Sequence, residues 1–310
     1  MKRLLIIFLS LAAALGASAQ ETLSEQEYLR RYNNLVARVG PAGLGVETLL
    51  NKWEADYPDD ASQMVARFSF YFTRCQTSRV VQLSQDRYLG REPLLPMTDS
   101  LGQKANFFEV TDYDDDLYAQ ANLAIDKAIV ALPDRLDLRL AKIDAMMAFE
   151  QGQPDMTLQQ LKALADRHFK QHPAWQYEGL GSVDTEQFKA FMQDYCAALF
   201  RLGTEGGSKA FVSLSEYLLT YSKDDPLYVN NLGSYYLSKK DYKKAQKYFD
   251  QVLKKDPSNL TAIRNGILLG RAKKDVKLEK KYLALMAQYG ESETDRASAQ
   301  VRLSALEGKK

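Results

Sequence analysis

The sequence is short of the residues that most chemistry needs. Its 310 residues include two cysteines, two histidines and two tryptophans, and its 41 basic side chains are balanced by 40 acidic ones. A formal charge of +1 spread over mixed signs gives no electrostatic reason to expect nucleic acid or an anionic membrane as partner. Two cysteines are too few for a disulfide scaffold or a tetrahedral thiolate site. No phosphate-binding glycine loop, dinucleotide fingerprint, nucleophile elbow or paired-cysteine motif occurs. No catalytic residue, cofactor or metal is therefore assigned, and the chain does not read as an enzyme.

Two weaker constellations fail on their own spacing. His168 and His172 stand four apart near a helix end, where they would share a face. Phe169 stands where a zinc protease has its glutamate, and no third ligand is close in sequence, so both read as surface histidines. Asp112, Asp114 and Asp116 alternate like calcium-loop ligands, but Leu117 and Leu123 occupy the places of the required Gly and Glu. These acids fit the N-terminus of a helix better.

Long apolar runs are equally scarce. The run from Leu4 to about Leu15 follows Lys2 and Arg3 and precedes Ala17-Ser18-Ala19, the pattern of a cleaved signal peptide over residues 1–19. No cysteine follows the cleavage point to carry lipid. The mature chain, 20–310, is expected in the periplasm or secreted, with no stable membrane insertion, because no second run is long enough to span a bilayer.

What is present is helical periodicity broken at intervals by Gly and Pro. Apolar positions predict helices over 24–39, 46–57 and 61–75, then over 114–132, 134–149, 155–171, 184–202 and 208–221. Gly203, Gly206 and Gly207 are assigned to the turn before the last of these. The period fails over 78–110, which holds Pro93, Pro96 and short alternating runs. This segment reads as an insertion between two helices of one pair, with a hairpin near Asp99-Ser100-Leu101-Gly102. Two roles fit it: part of a binding face, or a cover over an exposed edge. Cys75 and Cys196 fall on non-adjacent pairs, so they read as buried thiols, not a bridge.

The stretch 226–259 is the most informative. Counting Pro226 as the first residue, Leu232, Gly233, Tyr236, Ala245, Phe249 and Pro257 fall at positions 7, 8, 11, 20, 24 and 32. Small residues let two helices cross closely, large ones fill the space between, and the proline ends the second helix. This spacing resembles the tetratricopeptide repeat. A weaker copy follows, with Gly266, Leu278, Tyr282 and Leu285 offset by 33 from Gly233, Ala245, Phe249 and Val252. Leu278, replacing a small residue, should spread that pair. A charged segment at 291–306 fits a polar capping helix. The resemblance implies an all-α fold: an α-α superhelix of about six helical hairpins plus a cap, carrying the 78–110 insertion.

Further segments, including Pro93-Leu94-Leu95, Phe107-Phe108-Glu109, Tyr113-Asp114-Asp115 and Arg135-Leu136-Asp137-Leu138-Arg139, resemble periplasmic tetratricopeptide-repeat proteins of Bacteroidota. Asp99-Ser100-Leu101 resembles the short O-glycosylation motif of that lineage. The resemblance implies a protein–protein interaction scaffold of the cell envelope, with an envelope protein or peptide as partner. The expected groove is formed by Leu227, Asn230, Ser234, Leu237, Ile263, Arg264 and Arg271. Asn230 and Ser234 replace the Lys and Asn of carboxylate-clamp repeats, so that clamp is not expected. The alternative is a glycan-binding module using the loop aromatics Trp175 and Tyr177 with the 78–110 insertion.

Overall fold

The computed structural model describes residues 23–307, so the expected signal peptide lies outside the described residues. Among them are thirteen α-helices and two small sheets. Six antiparallel pairs follow one another: α1 (Glu25–Val39) with α2 (Val46–Asp56), α3 (Ala61–Arg74) with α4 (Asp115–Ala131), and α5 (Leu136–Glu150) with α6 (Asp155–Gln171). Then come α7 (Thr185–Arg201) with α8 (Glu205–Leu219), α9 (Pro226–Ser238) with α10 (Tyr242–Lys255), and α11 (Leu260–Lys273) with α12 (Val276–Tyr289). The cap is α13 (Glu293–Glu307), packed on α12. The fold is all-α, a stack of helical pairs with one inserted ribbon.

Side-chain caps set where the helices begin. Asp114, Asp184, Thr204, Asp225, Asp241, Asn259 and Asp275 each accept a backbone N–H from the first turn of the helix that follows. Each satisfies one of the donors a helix leaves open. Asp114 is thus a cap, and Asp112 pairs instead with Arg79.

No single pair encloses a core. The apolar interior divides into clusters that each span neighbouring pairs: Trp53, Leu50 and Phe70 at the N-terminal end, Tyr118, Ile125 and Ala128 next, Phe188, Leu161 and Leu214 centrally, and Phe249, Tyr282 and Leu269 at the C-terminal end. Cys75 belongs to the second cluster and Cys196 to the central one; both thiols are buried, unbridged and pushed up by burial, to about 11 and about 12.

Two expectations about close approach need correction. Gly206 and Gly207 are not turn residues but the first turn of α8. A Cβ on Gly207 would stand 2.6 Å from the Leu199 carbonyl, and one on Gly206 2.7 Å from the Gly152 carbonyl. These glycines let α8 start against its neighbours, while Gly203, at φ +67°, makes the turn. Leu278 does not spread α11 from α12 either. Gly270, one turn beyond Gly266, lies so close to α12 that an added Cβ would be 2.6 Å from the backbone nitrogen of Glu279.

The insertion is more ordered than expected. β1 (Gln76–Leu83) and β2 (Asn106–Tyr113) form an antiparallel ribbon of eight residue pairs, with Gln76 opposite Tyr113 and Leu83 opposite Asn106. The tip at Asp99–Gly102 closes through Gly102 N–H to the Asp99 carbonyl, 3.0 Å. Between ribbon and tip the chain returns over the stack. Tyr88 Oη donates to Gln151 Oε1 at 3.1 Å, and Gly90 sits against the Arg201 carbonyl, where no Cβ would fit. The insertion therefore lies across the turns of the α5–α6 and α7–α8 pairs. A second, minimal hairpin, β3 (Gln176–Tyr177) with β4 (Gly181–Ser182), follows α6.

Candidate partner groove

The repeat residues occupy the positions their sizes require. Ala245 and Phe249 are fully buried, and the edge of the Phe249 ring fills the space a Gly233 side chain would take, with Cε1 2.3 Å from that ideal Cβ. Gly266 stands in the same relation to Tyr282, at 2.4 Å. Leu232 is buried, Tyr236 is half-buried and stacks on Tyr248 with centroids 5.6 Å apart, and Pro257 is exposed after the end of α10.

Consecutive pairs are joined along their first helices by polar contacts. Lys189 on α7 reaches Asp225, the cap of α9, at 2.7 Å. Gln193 and Asn231 exchange two amide hydrogen bonds of 3.0 and 2.8 Å. Asn230 on α9 donates to Asn259, the cap of α11, at 3.2 Å, and Asn265 donates to Ser234 Oγ at 3.2 Å. Arg264 on α11 then reaches Asp295 in the first turn of α13 at 3.5 Å. A cation or amide donor on one helix repeatedly meets an acceptor side chain in the cap or first turn of a helix stacked after it.

These contacts redraw the groove expected from sequence. Asn230 is 4% exposed and Ile263 is fully buried, so both belong to the seam between pairs and neither lines an open surface. Ser234 is engaged with Asn265, Leu237 is half-buried, and Leu227 is exposed at the start of α9. Arg264 and Arg271 do face an open space. It lies between α11 and α13 over α12, with a volume of about 310 Å³. Its floor is Ile267, Leu268, Leu283 and Met286, and a third cation, Arg302 of α13, completes the rim.

The electrostatics of this groove turn on Glu279. Its buried carboxylate accepts from Arg302 Nε at 3.0 Å and Nη2 at 3.3 Å, and from Arg271 Nε at 2.9 Å. The Arg302 hydrogen bond, assisted by that of Arg271, holds its pKa below the usual carboxylate value against the opposing effect of burial. Both guanidiniums remain about half exposed, with N–H donors still directed to solvent. Three arginines against Glu279 and Asp295 leave the groove one unit positive around an apolar floor. Such a surface can take an apolar anchor and pair an acidic group beside it.

Sequence reading missed Leu268 and Arg302. Leu268 was within reach, since Arg264, Leu268 and Arg271 follow i, i+4, i+7 spacing on one helical face. Arg302 belongs to a helix whose docking angle no local pattern records.

The glycan alternative loses its central residue. Trp175 is 1% exposed, with Arg139 and Arg167 over its ring, and its indole N–H donates to His168 Nδ1 at 3.2 Å. Tyr177 is half-buried and stacks on Phe191 at 5.3 Å. Nor is His168 a surface residue: it is buried and its ring stacks on Phe188 at 3.8 Å, while His172 is exposed. Burial, with a smaller contribution from His172, pushes the His168 pKa down to about 4. Because the folded value lies below the ordinary one near 6.5, the neutral ring contributes stability above pH ~6.5 that is lost as pH falls towards ~4. Urea midpoints should drop between pH 7 and pH 5 by on the order of 1 kcal/mol in stability, and His168→Gln, which keeps an acceptor for the indole, should flatten that drop.

The tetratricopeptide-repeat family model matches residues 226–259. No curated protein matches the chain in sequence. Among solved structures, PilF of Pseudomonas aeruginosa aligns over 89% of this chain and 96% of its own, at 10% identity and a TM-score of 0.36. The C-terminal part of a TPR repeat-containing protein from Cytophaga hutchinsonii aligns over 91% of this chain and 96% of its own, at 15% identity and a TM-score of 0.41. The chain thus carries a tetratricopeptide repeat at 226–259 within an all-α stack of helical pairs.

Proposed function

We propose that this protein is a non-enzymatic interaction scaffold of the cell envelope that holds a partner protein or peptide in the groove between α11 and α13. The supporting observation is the groove itself: an apolar lining that includes the exposed Leu268, rimmed by Arg264, Arg271 and Arg302. The partner chemistry this favours is a short segment with an apolar side chain flanked by acidic ones, since the rim carries a surplus cation. The repeat supports a protein partner, because stacked helical pairs present extended surfaces for other chains.

The test is affinity capture from the source cells with the mature chain and its Leu268→Asp variant. Leu268 is 52% exposed, so the substitution should leave the fold intact while placing a carboxylate on the groove floor. A partner retained by the wild type and lost by the variant supports the groove. Equal retention by both moves the binding site elsewhere, and recovery of no envelope protein by either counts against the scaffold role.

A further inference from the structure

The ribbon has one covered edge and one open edge. In an antiparallel ladder, alternate residues direct both backbone groups inward, and those between direct them outward. The Asp114 N–H bonds to the Cys75 carbonyl at 2.8 Å, which places the inward pairs at Thr77/Asp112, Arg79/Val110 and Val81/Phe108. Phe107, Glu109 and Thr111 therefore face outward on β2. That edge is occupied: Phe107 exchanges hydrogen bonds with Leu94 and Leu95 at 2.8 and 2.9 Å, and Gln151 Nε2 donates to the Thr111 carbonyl at 2.8 Å. The outward groups of β1 belong to Gln76, Ser78, Val80 and Gln82, and among the described residues none has a backbone partner.

An open edge of this length is usually protected by lysine, proline or a bulge. β1, QTSRVVQL, has none of these, and its one charge, Arg79, is already paired with Asp112 across the ribbon. The same insertion exposes Val80, Leu94, Leu95, Met97 and Leu101. We infer that β1 pairs antiparallel with β1 of a second copy, joining two ribbons into one four-stranded sheet about a two-fold axis at Val80. An antiparallel strand meeting itself is isologous by construction. Only registers that oppose outward residues to outward residues form the ladder. With Val80 on the axis, Val80 meets Val80, Ser78 meets Gln82, and Arg79 lies opposite Val81. Moving the axis to Arg79 would set two arginines face to face, a destabilising cross-strand pair. Hydrogen-bond parity admits both registers, since an axis at Arg79 would set Ser78 opposite Val80, and charge selects the one centred on Val80.

Sedimentation velocity over a concentration series tests this. The full mature chain should show a concentration-dependent dimer. Val80→Pro removes only an outward N–H, and it should weaken dimerisation at least about 10-fold, since it deletes both hydrogen bonds of the axial pair. Val80→Lys, which keeps the backbone donor but adds like charges at the axis, should also weaken it, and unchanged helical circular dichroism would show that both variants fold. Val80→Cys should cross-link to a dimer under mild oxidation, whereas Ser78→Cys alone should not, because its copy lies beyond the ~7 Å Cα reach of a disulfide. A monomer at every concentration overturns the inference. So does a dimer indifferent to Val80→Pro, or a Val80→Cys chain that cross-links to a different protein and not to itself.

Discussion

Trp53→Ala should cost about 3–5 kcal/mol, and that loss should stay at one end of the molecule. Trp53 is fully buried among Tyr28, Tyr32, Leu50 and Phe70. Its ring stacks on Tyr28 with centroids 5.8 Å apart, and its N–H donates to Asp60 Oδ2 at 2.8 Å. Asp60 is also the cap of α3, accepting from Ser62 N–H at 2.8 Å, so the indole fixes the junction between the first two pairs. Truncation leaves a cavity the size of an indole and loosens that cap. The cluster around Trp53 shares no buried residue with the clusters around Phe188 and Phe249. In a stack where each unit contacts only its neighbours, destabilisation need not spread. Hydrogen exchange followed by mass spectrometry should show α1, α2 and α3 losing protection while α9 to α13 keep theirs. Loss of protection along the whole chain would mean that the stack unfolds as one cooperative body. Trp53→Phe should cost less, because it keeps most of the stacking and loses the hydrogen bond.

The helical pairs were legible because their signals are local. Gly233, Ala245 and Phe249 lie on two helices joined by a short turn, so their spacing alone fixes which residues meet. Prolines and caps mark element ends within one or two residues of where they occur. The groove was legible only in part, because surface and seam alternate along the same helix face. Asn230 and Arg264 stand at nearly equivalent positions on α9 and α11, and each reaches the start of a later helix, α11 and the capping α13 respectively. Asn230 is buried because α11 closes over it; Arg264 is open because α13 leaves a gap. Composition cannot separate those outcomes. Trp175 failed for a related reason: an aromatic in a loop looks the same whether it faces solvent or folds back onto His168. The glycines at 206 and 207 show a third limit. Glycine serves turns and close packing alike, and only the neighbour's carbonyl at 2.6 Å from the missing side chain shows which role applies.

Gly270→Ala is the sharpest test of close packing, because ordinary helix propensity predicts the opposite sign. In an exposed helix interior, replacing Gly by Ala gains roughly 1 kcal/mol. At Gly270 the new methyl would lie 2.6 Å from the Glu279 nitrogen and 2.7 Å from its Cα. These are backbone atoms of α12, which cannot rotate aside as a side chain can. The helices must separate, and overpacking of this kind costs about 1–3 kcal/mol; set against the roughly 1 kcal/mol propensity gain, a net loss of about 1 kcal/mol is expected. Gly152 supplies the contrast: its nearest neighbours are the Thr204 Cγ2 and Leu89 Cδ2 methyls at 3.1 and 3.2 Å, which can yield. Gly152→Ala should therefore change stability by less than about 1 kcal/mol. Displacing α12 also carries Glu279 away from Arg271 and Arg302, whose guanidiniums it now orients. Gly270→Ala should therefore lower the urea midpoint and weaken partner capture together, whereas Leu268→Asp should affect capture alone. If Gly270→Ala raised stability, α11 and α12 would be farther apart than these distances require. The groove geometry would then have to be redrawn with them.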